Sequence, residues 1–249
     1  MSTGGPVRAV RRGPEAARVA AEQAARRRRE QKILLAAVVA LVVLVVGGGM
    51  GLQAWRSGRA PSTGPVPAVA DVPQTVADGQ PLRFGPAAAP ATVTLYEDYH
   101  CPHCADFEEE FGDVLSRAQT TGQARVDLYP MSFIDAGSAA AANAAACAAE
   151  AGFGQAYHLG LFANPTLEWS DRQLVDLAGE VGGQPGGAFS TCVTTRAKSS
   201  WVTSVNTAAD ANGVEGTPTL FLDGAPVPVE GLTPEKLQTM IETATPGNG

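Results

Sequence analysis

Cysteine is scarce in this 249-residue chain: there are four, and only Cys101 and Cys104 stand close together. Cys147 and Cys192 lie 45 positions apart, so a structural zinc site has no second close pair and no metal or cofactor is expected. Histidine is scarcer still, with three; His158 has no cysteine or carboxylate at ligand spacing and reads as a surface or core residue. Lysine is rare beside arginine, and basic charge is concentrated at one end. Residues 1–32 hold 9 Lys/Arg against 3 Asp/Glu, a balance of +6 in a chain of net charge −7, which leaves −13 for the rest. That acidic remainder offers no basic patch for nucleic acid.

Charge is missing altogether from Ile33 to Trp55, 23 residues between Lys32 and Arg56. This is long enough to cross a bilayer with some tilt. The basic run Arg26-Arg27-Arg28-Arg29 before it keeps the N-terminus cytoplasmic and places the rest on the extracytoplasmic side of the cell membrane. A cleaved signal peptide is the alternative, because the strongest apolar stretch, Ile33 to Val46, is only 14 residues. Gln53-Ala54-Trp55 is a poor cleavage site, and the reading adopted is a retained single-pass anchor. No cysteine lies near the end of the span, which excludes a lipoprotein anchor. Ser57 to Pro73, rich in Pro, Gly, Ala and Ser, reads as a linker. The expected division is a basic tail over 1–32, an anchor over 33–55, a linker over 56–73 and one catalytic domain over 74–249.

What is present is the run His100-Cys101-Pro102-His103-Cys104, placed after an apolar strand-like segment, Ala91 to Tyr99, and opening a helix-like one, Cys101 to Thr120. Two thiols three positions apart on a first helical turn can open and close a disulfide. Unpaired backbone N–H groups and the positive end of the helix dipole stabilise a thiolate at Cys101, which makes it the attacking sulfur and Cys104 the resolving one. Pro102 suits the first turn, where its missing donor costs nothing. His103, when protonated, adds positive charge beside the thiolate. A dithiol stabilised in its reduced form is an oxidant.

A second motif, Gly216-Thr217-Pro218-Thr219-Leu220-Phe221-Leu222-Asp223-Gly224, is a short apolar strand entered through Thr-Pro and left through an Asp-Gly turn. Proline is tolerated at the start of a strand, and a cis Thr217–Pro218 bond there would be a deliberate feature.

A Cys-Pro-His-Cys helix start well before a Gly-Thr-Pro-Thr-x-Phe strand resembles the thioredoxin superfamily, specifically the DsbA-like thiol:disulfide oxidoreductases of the membrane-anchored actinobacterial type. The resemblance spans about Val72 to Thr245. It implies an α/β thioredoxin fold with an inserted helical domain, at about 133–213, preceded by one N-terminal transmembrane helix. It also implies that Pro218 packs beside the active disulfide and that Thr217 offers backbone hydrogen bonds to substrate. The implied partners are reduced or unfolded exported proteins and a quinone-linked membrane reoxidant of the DsbB or VKOR type. Relatives often carry a glutamate six residues before the first cysteine; here that position is Leu95. Glu97 and Asp98 lie nearby, and as carboxylates ending a strand they are expected to be solvated, with a proton-relay role as the alternative. Thr217 is the residue of isomerase-type relatives, which keeps a reduced isomerase or reductase as the second reading. A chaperone-like binding domain without turnover is a third.

Further along, Arg125 to Met131 reads as a strand. Ala139 to Ala151, Phe153 to Ala163, Asp171 to Val181 and Trp201 to Ala211 read as helices, with Ser170 as an N-cap. Phe107, Phe111 and Leu115 are expected in the core. Cys147 and Cys192 sit in this block, on the side of the membrane where disulfides persist, and are expected to pair, two buried free thiols being the alternative. Pro226 to Glu230 is expected to form a hairpin with the Thr-Pro strand, and Thr233-Pro234-Glu235 to start a final helix. The domain is expected to be monomeric.

Overall fold

The segment Ala91–Asp98 alternates β-branched and apolar residues, and every second side chain is fully buried from its first residue onward. It forms β2, the middle of a five-stranded sheet of order β1-β3-β2-β4-β5, where β1 is Leu82–Phe84, β3 Ala124–Met131, β4 Thr219–Leu222 and β5 Ala225–Val227. The computed structural model describes residues 74–164 and 168–244; the expected tail, anchor and linker lie outside these. Among the described residues no helix is long and apolar enough to cross a membrane.

β2 runs parallel to β3 and antiparallel to β4, while β1 and β5 close the two edges in antiparallel pairing. A parallel pair needs a crossover. Helix α1, Pro102–Thr120, supplies it, burying Cys104, Phe107, Phe111 and Leu115 against the sheet as expected. The β4–β5 turn is Asp223-Gly224, both at positive φ (51° and 78°), a geometry suited to a two-residue hairpin. Asp223 also accepts the Thr92 amide at 2.7 Å, tying that turn to the start of β2. The paired part of the hairpin is Ala225–Val227, shorter than expected.

Between β3 and β4 lies a helical block: α2 Ala136–Ala151, α3 Gly154–Phe162, α4 Asp171–Glu180, α5 Gly187–Thr194 and α6 Ser199–Ala211. Eleven of the sixteen residues of α2 are alanine, and these small side chains let α3, α5 and α6 pack around it. It begins at a capping box between Asp135 and Ser138 and ends at Gly152 in the left-handed conformation (φ 84°). Cys147 on α2 and Cys192 on α5 are joined as a disulfide, as expected. Ser170 caps α4 through a second box. The final helix α7, Pro234–Thr243, starts with Thr233 as N-cap and Pro234 in the first turn.

Candidate active site

The β2 strand ends at Asp98 and the chain turns straight into α1, the Cys101 amide donating to the Asp98 carbonyl at 2.9 Å. Cys101 is the N-cap residue, with extended backbone (φ −81°, ψ 117°), and Pro102 opens the helix. No acidic side chain stands in the first turn to oppose a thiolate. Both cysteines of the pair are thiols here, Cys101 8% exposed and Cys104 fully buried. Both residues are buried, Cys101 the less completely of the two.

Opposite it, the Thr217–Pro218 bond is cis. That bend brings the Thr217 carbonyl to 3.5 Å from the Cys101 sulfur, which donates its thiol hydrogen to it. Cys101, Cys104, Thr217 and Pro218 are thus brought together across 116 residues of chain. His103 is not drawn in: its side chain is 83% exposed and faces Asp106 at 3.8 Å.

Burial pushes the Cys104 thiol well up, with the charge of Glu97 adding to it, although the Asp98 backbone and the Thr217 side chain pull the other way. Cys104 is accordingly a thiol that must hand over its proton before it can attack.

The expectation of solvated carboxylates at the end of β2 is corrected here. Glu97 is 1% exposed and Asp98 fully buried. The reason is the position of the strand: β2 is central, and its second half, residues 95–98, is buried on both faces. The two acids are handled differently. Asp98 accepts the His100 amide at 2.9 Å and the Phe133 and Ile134 amides at 2.9 and 3.2 Å, so its carboxylate is satisfied and staples the loop after β3 to the active-site turn. Neither Glu97 oxygen meets a donor. Burial holds its carboxyl well above the usual carboxylate range, reinforced by Glu108 beside it and by Cys101. As carboxylates Glu97 and Glu108 are both acceptors and cannot bond; a proton on Glu97 makes it a donor to Glu108.

The functional side chains missed in the sequence are those around Glu97. Glu108 lies on the stripe Cys104, Glu108, Phe111, Leu115, whose spacing of four, three and four marks the buried face of α1. A carboxylate in that stripe was the available signal. His158 is buried, as one of its two expectations held, and lies 3.3 Å from Glu108. On the other side of the turn, His100 pairs with Asp135 at 2.9 Å. Burial acts to raise the Asp135 carboxyl, but the Ser138 amide and His100 outweigh it and hold it below its usual range.

A family model described as Thioredoxin matches residues 77–243. The chain belongs to the thioredoxin family. No curated protein matches it. Among solved structures it is similar to the reduced disulfide bond oxidoreductase DsbG of Mycobacterium tuberculosis, at 26% identity and a TM-score of 0.58 over 68% of this chain and 89% of that one. Oxidised DsbA of the same organism gives 25% and 0.58 over 66% and 92%. MdbA of Actinomyces oris, a thiol-disulfide oxidoreductase, gives 22% and 0.61 over 77% and 96%, a likeness of fold. With Cys101 and Cys104 in place, this thioredoxin-family chain is a disulfide oxidoreductase.

Proposed function

We propose that the protein is a membrane-anchored extracytoplasmic oxidase that donates the Cys101–Cys104 disulfide to exported proteins. The observation that carries this is the placement and unequal burial of the pair: Cys101, the less buried, sits at the N-cap of α1 without acidic neighbours in the first turn, and Cys104 is fully enclosed one turn on. A client thiolate attacks the Cys101 sulfur of the disulfide, and Cys104 leaves with the electron pair and takes up a proton. A second client thiolate then attacks the client sulfur of the mixed disulfide and expels Cys101 as a thiolate, a leaving group favoured at a helix start. The client departs oxidised by two electrons and the enzyme holds two reduced sulfurs.

Turnover requires a disulfide partner to take those electrons, for which a quinone-linked membrane protein of the DsbB or VKOR type is the reading adopted. Exposed Phe133 and Ile134, held beside the active-site turn by Asp98, suit contact with the apolar segments of unfolded clients. Thr217 before the cis-proline supports the isomerase or reductase reading in second place. The test is refolding of reduced ribonuclease by the full chain supplied as the disulfide, without other oxidant. Stoichiometric recovery of activity, abolished by C101S, is expected. Activity only on scrambled ribonuclease, and only from the reduced enzyme, would assign the isomerase role. Labelling of Cys101 in intact cells by a membrane-impermeant maleimide tests the location.

A further inference from the structure

The exchange steps above use no group beyond the sulfurs, yet a chain of buried polar side chains runs beneath them. The Tyr99 hydroxyl lies 3.2 Å from His158 Nδ1, and His158 Nε2 lies 3.3 Å from Glu108 Oε1. The side chains of His158 and Glu108 are 7% and 6% exposed, and Tyr99 is 2% exposed. One polar atom each of Glu97, Glu108 and His158 falls within a 4.8 Å group.

Proton positions follow from the partners. Burial first, then the charges of Glu97 and Glu108, hold the Tyr99 hydroxyl well above its usual range, so it keeps its proton and has one to donate to Nδ1. A neutral imidazole accepting at Nδ1 carries its hydrogen on Nε2, and Nε2 faces Glu108. Glu108 is therefore fixed as an acceptor on the His158 side, with Glu97 and its undonated oxygens close by. The titratable groups facing this chain are Glu97 and Asp98 on β2, Tyr99 after it, Cys101, Cys104 and Glu108 at α1, and Tyr157 on α3.

A cavity of about 20 Å³ opens at the same place, lined by Glu108, Ser116, Gln119, Gln155 and His158 among others. That is room for one water with polar partners.

We propose that Glu108, held in position by His158 and Tyr99, is a second proton station that passes the Cys104 proton between Glu97 and the water cavity. The proposal rests on disulfide exchange at Cys101–Cys104. During reoxidation a partner disulfide has formed a mixed disulfide with Cys101. Cys104 attacks the Cys101 sulfur, the bond from Cys101 to the partner breaks, and the partner sulfur leaves with the electron pair. Glu97 passes the proton it already holds to Glu108 and takes up the Cys104 proton in its place, and Glu108 releases its proton to cavity water. In client oxidation Cys104 is the leaving sulfur and the proton returns by the same stations. His158 and Tyr99 are positioning residues; they act through Glu108.

The test mixes the reduced full chain with oxidised glutathione in single turnover and follows formation and resolution of the Cys101–glutathione mixed disulfide by acid quench, in H2O and D2O. Formation uses the Cys101 sulfur alone, whereas resolution moves the Cys104 proton. H158F and E108Q are expected to slow resolution about tenfold relative to formation, a fraction of what a direct acid–base group supplies. H158Q, whose amide can still donate to Glu108, is expected to recover most of that loss. Y99F removes one hydroxyl and should shift the same ratio in the same direction; if H158F does not fold, Y99F and E108Q decide. Unchanged ratios in Y99F and E108Q, or equal slowing of both steps, would overturn the relay while leaving the exchange reading intact. Absence of any mixed disulfide in the unmodified protein would overturn the exchange reading, and the relay with it.

Discussion

Replacing Glu97 by glutamine preserves shape and removes a charge that the fold encloses without a donor. Because its carboxyl is held well above the usual range, the folded chain binds that proton more tightly than the unfolded chain does. The sign follows: this stabilisation is complete below the unfolded carboxyl pKa and is lost as pH rises through the folded one. Glutamine has no such ramp, and its amide can donate to Glu108. An unsatisfied buried polar group costs about 1–3 kcal/mol. E97Q should therefore be more stable than the unmodified protein by about that amount at alkaline pH, a rise of roughly 2–12 °C in Tm for a body of this size, and no more stable near pH 4. The assay is thermal unfolding by circular dichroism from pH 4 to 9, with both proteins held as dithiols in reduced glutathione, which leaves a structural disulfide closed. In the same variant, resolution of a mixed disulfide by Cys104 should slow, because its acceptor is gone. A less stable E97Q at alkaline pH, or an unchanged pH dependence, would refute the argument.

The Cys147–Cys192 bridge closes a loop of 45 residues, for which chain entropy gives about 4 kcal/mol, so the double serine variant should unfold roughly 8–16 °C lower in the same assay. At Gly137 an added methyl would overlap His100 Cε1, so G137A must displace that ring and disturb its pairing with Asp135. Overpacking of this kind costs about 1–3 kcal/mol, readable in urea denaturation. D98A orphans the His100, Phe133 and Ile134 amides, and a loss of about 3 kcal/mol or more is expected, with faster proteolysis after Phe133.

The elements that carry the chemistry were legible because each had a local cause. The Cys-Pro-His-Cys helix start, the Thr-Pro strand entry, the Asp-Gly turn and the Ser170 and Thr233 caps all state their geometry within a few residues. Two short elements were not legible. Leu82–Phe84 is three residues long and exists through pairing with β3. The α5 sequence GAFSTCVT starts at a glycine, carries three β-branched residues, is poor in helix formers, and is held by the disulfide and by Phe189 packing on Phe153 at 5.0 Å. The burial of Glu97 and Asp98 was misread for a related reason. End-of-strand carboxylates are solvated on an edge, but the centrality of β2 depends on which strands pair with it, and that is long-range information. Glu108 was missed for no such reason: its place four residues after Cys104 and three before Phe111 marks the buried face of α1 locally.

The central claim, that the protein gives its disulfide away, is tested most directly by the reduction potential of the Cys101–Cys104 pair in the full chain, equilibrated with glutathione buffers and read by thiol labelling. A potential well above about −200 mV is predicted, since such a disulfide passes readily to client thiols. A value near −270 mV, in the range of reducing thioredoxins, would contradict the account and assign the pair to reduction.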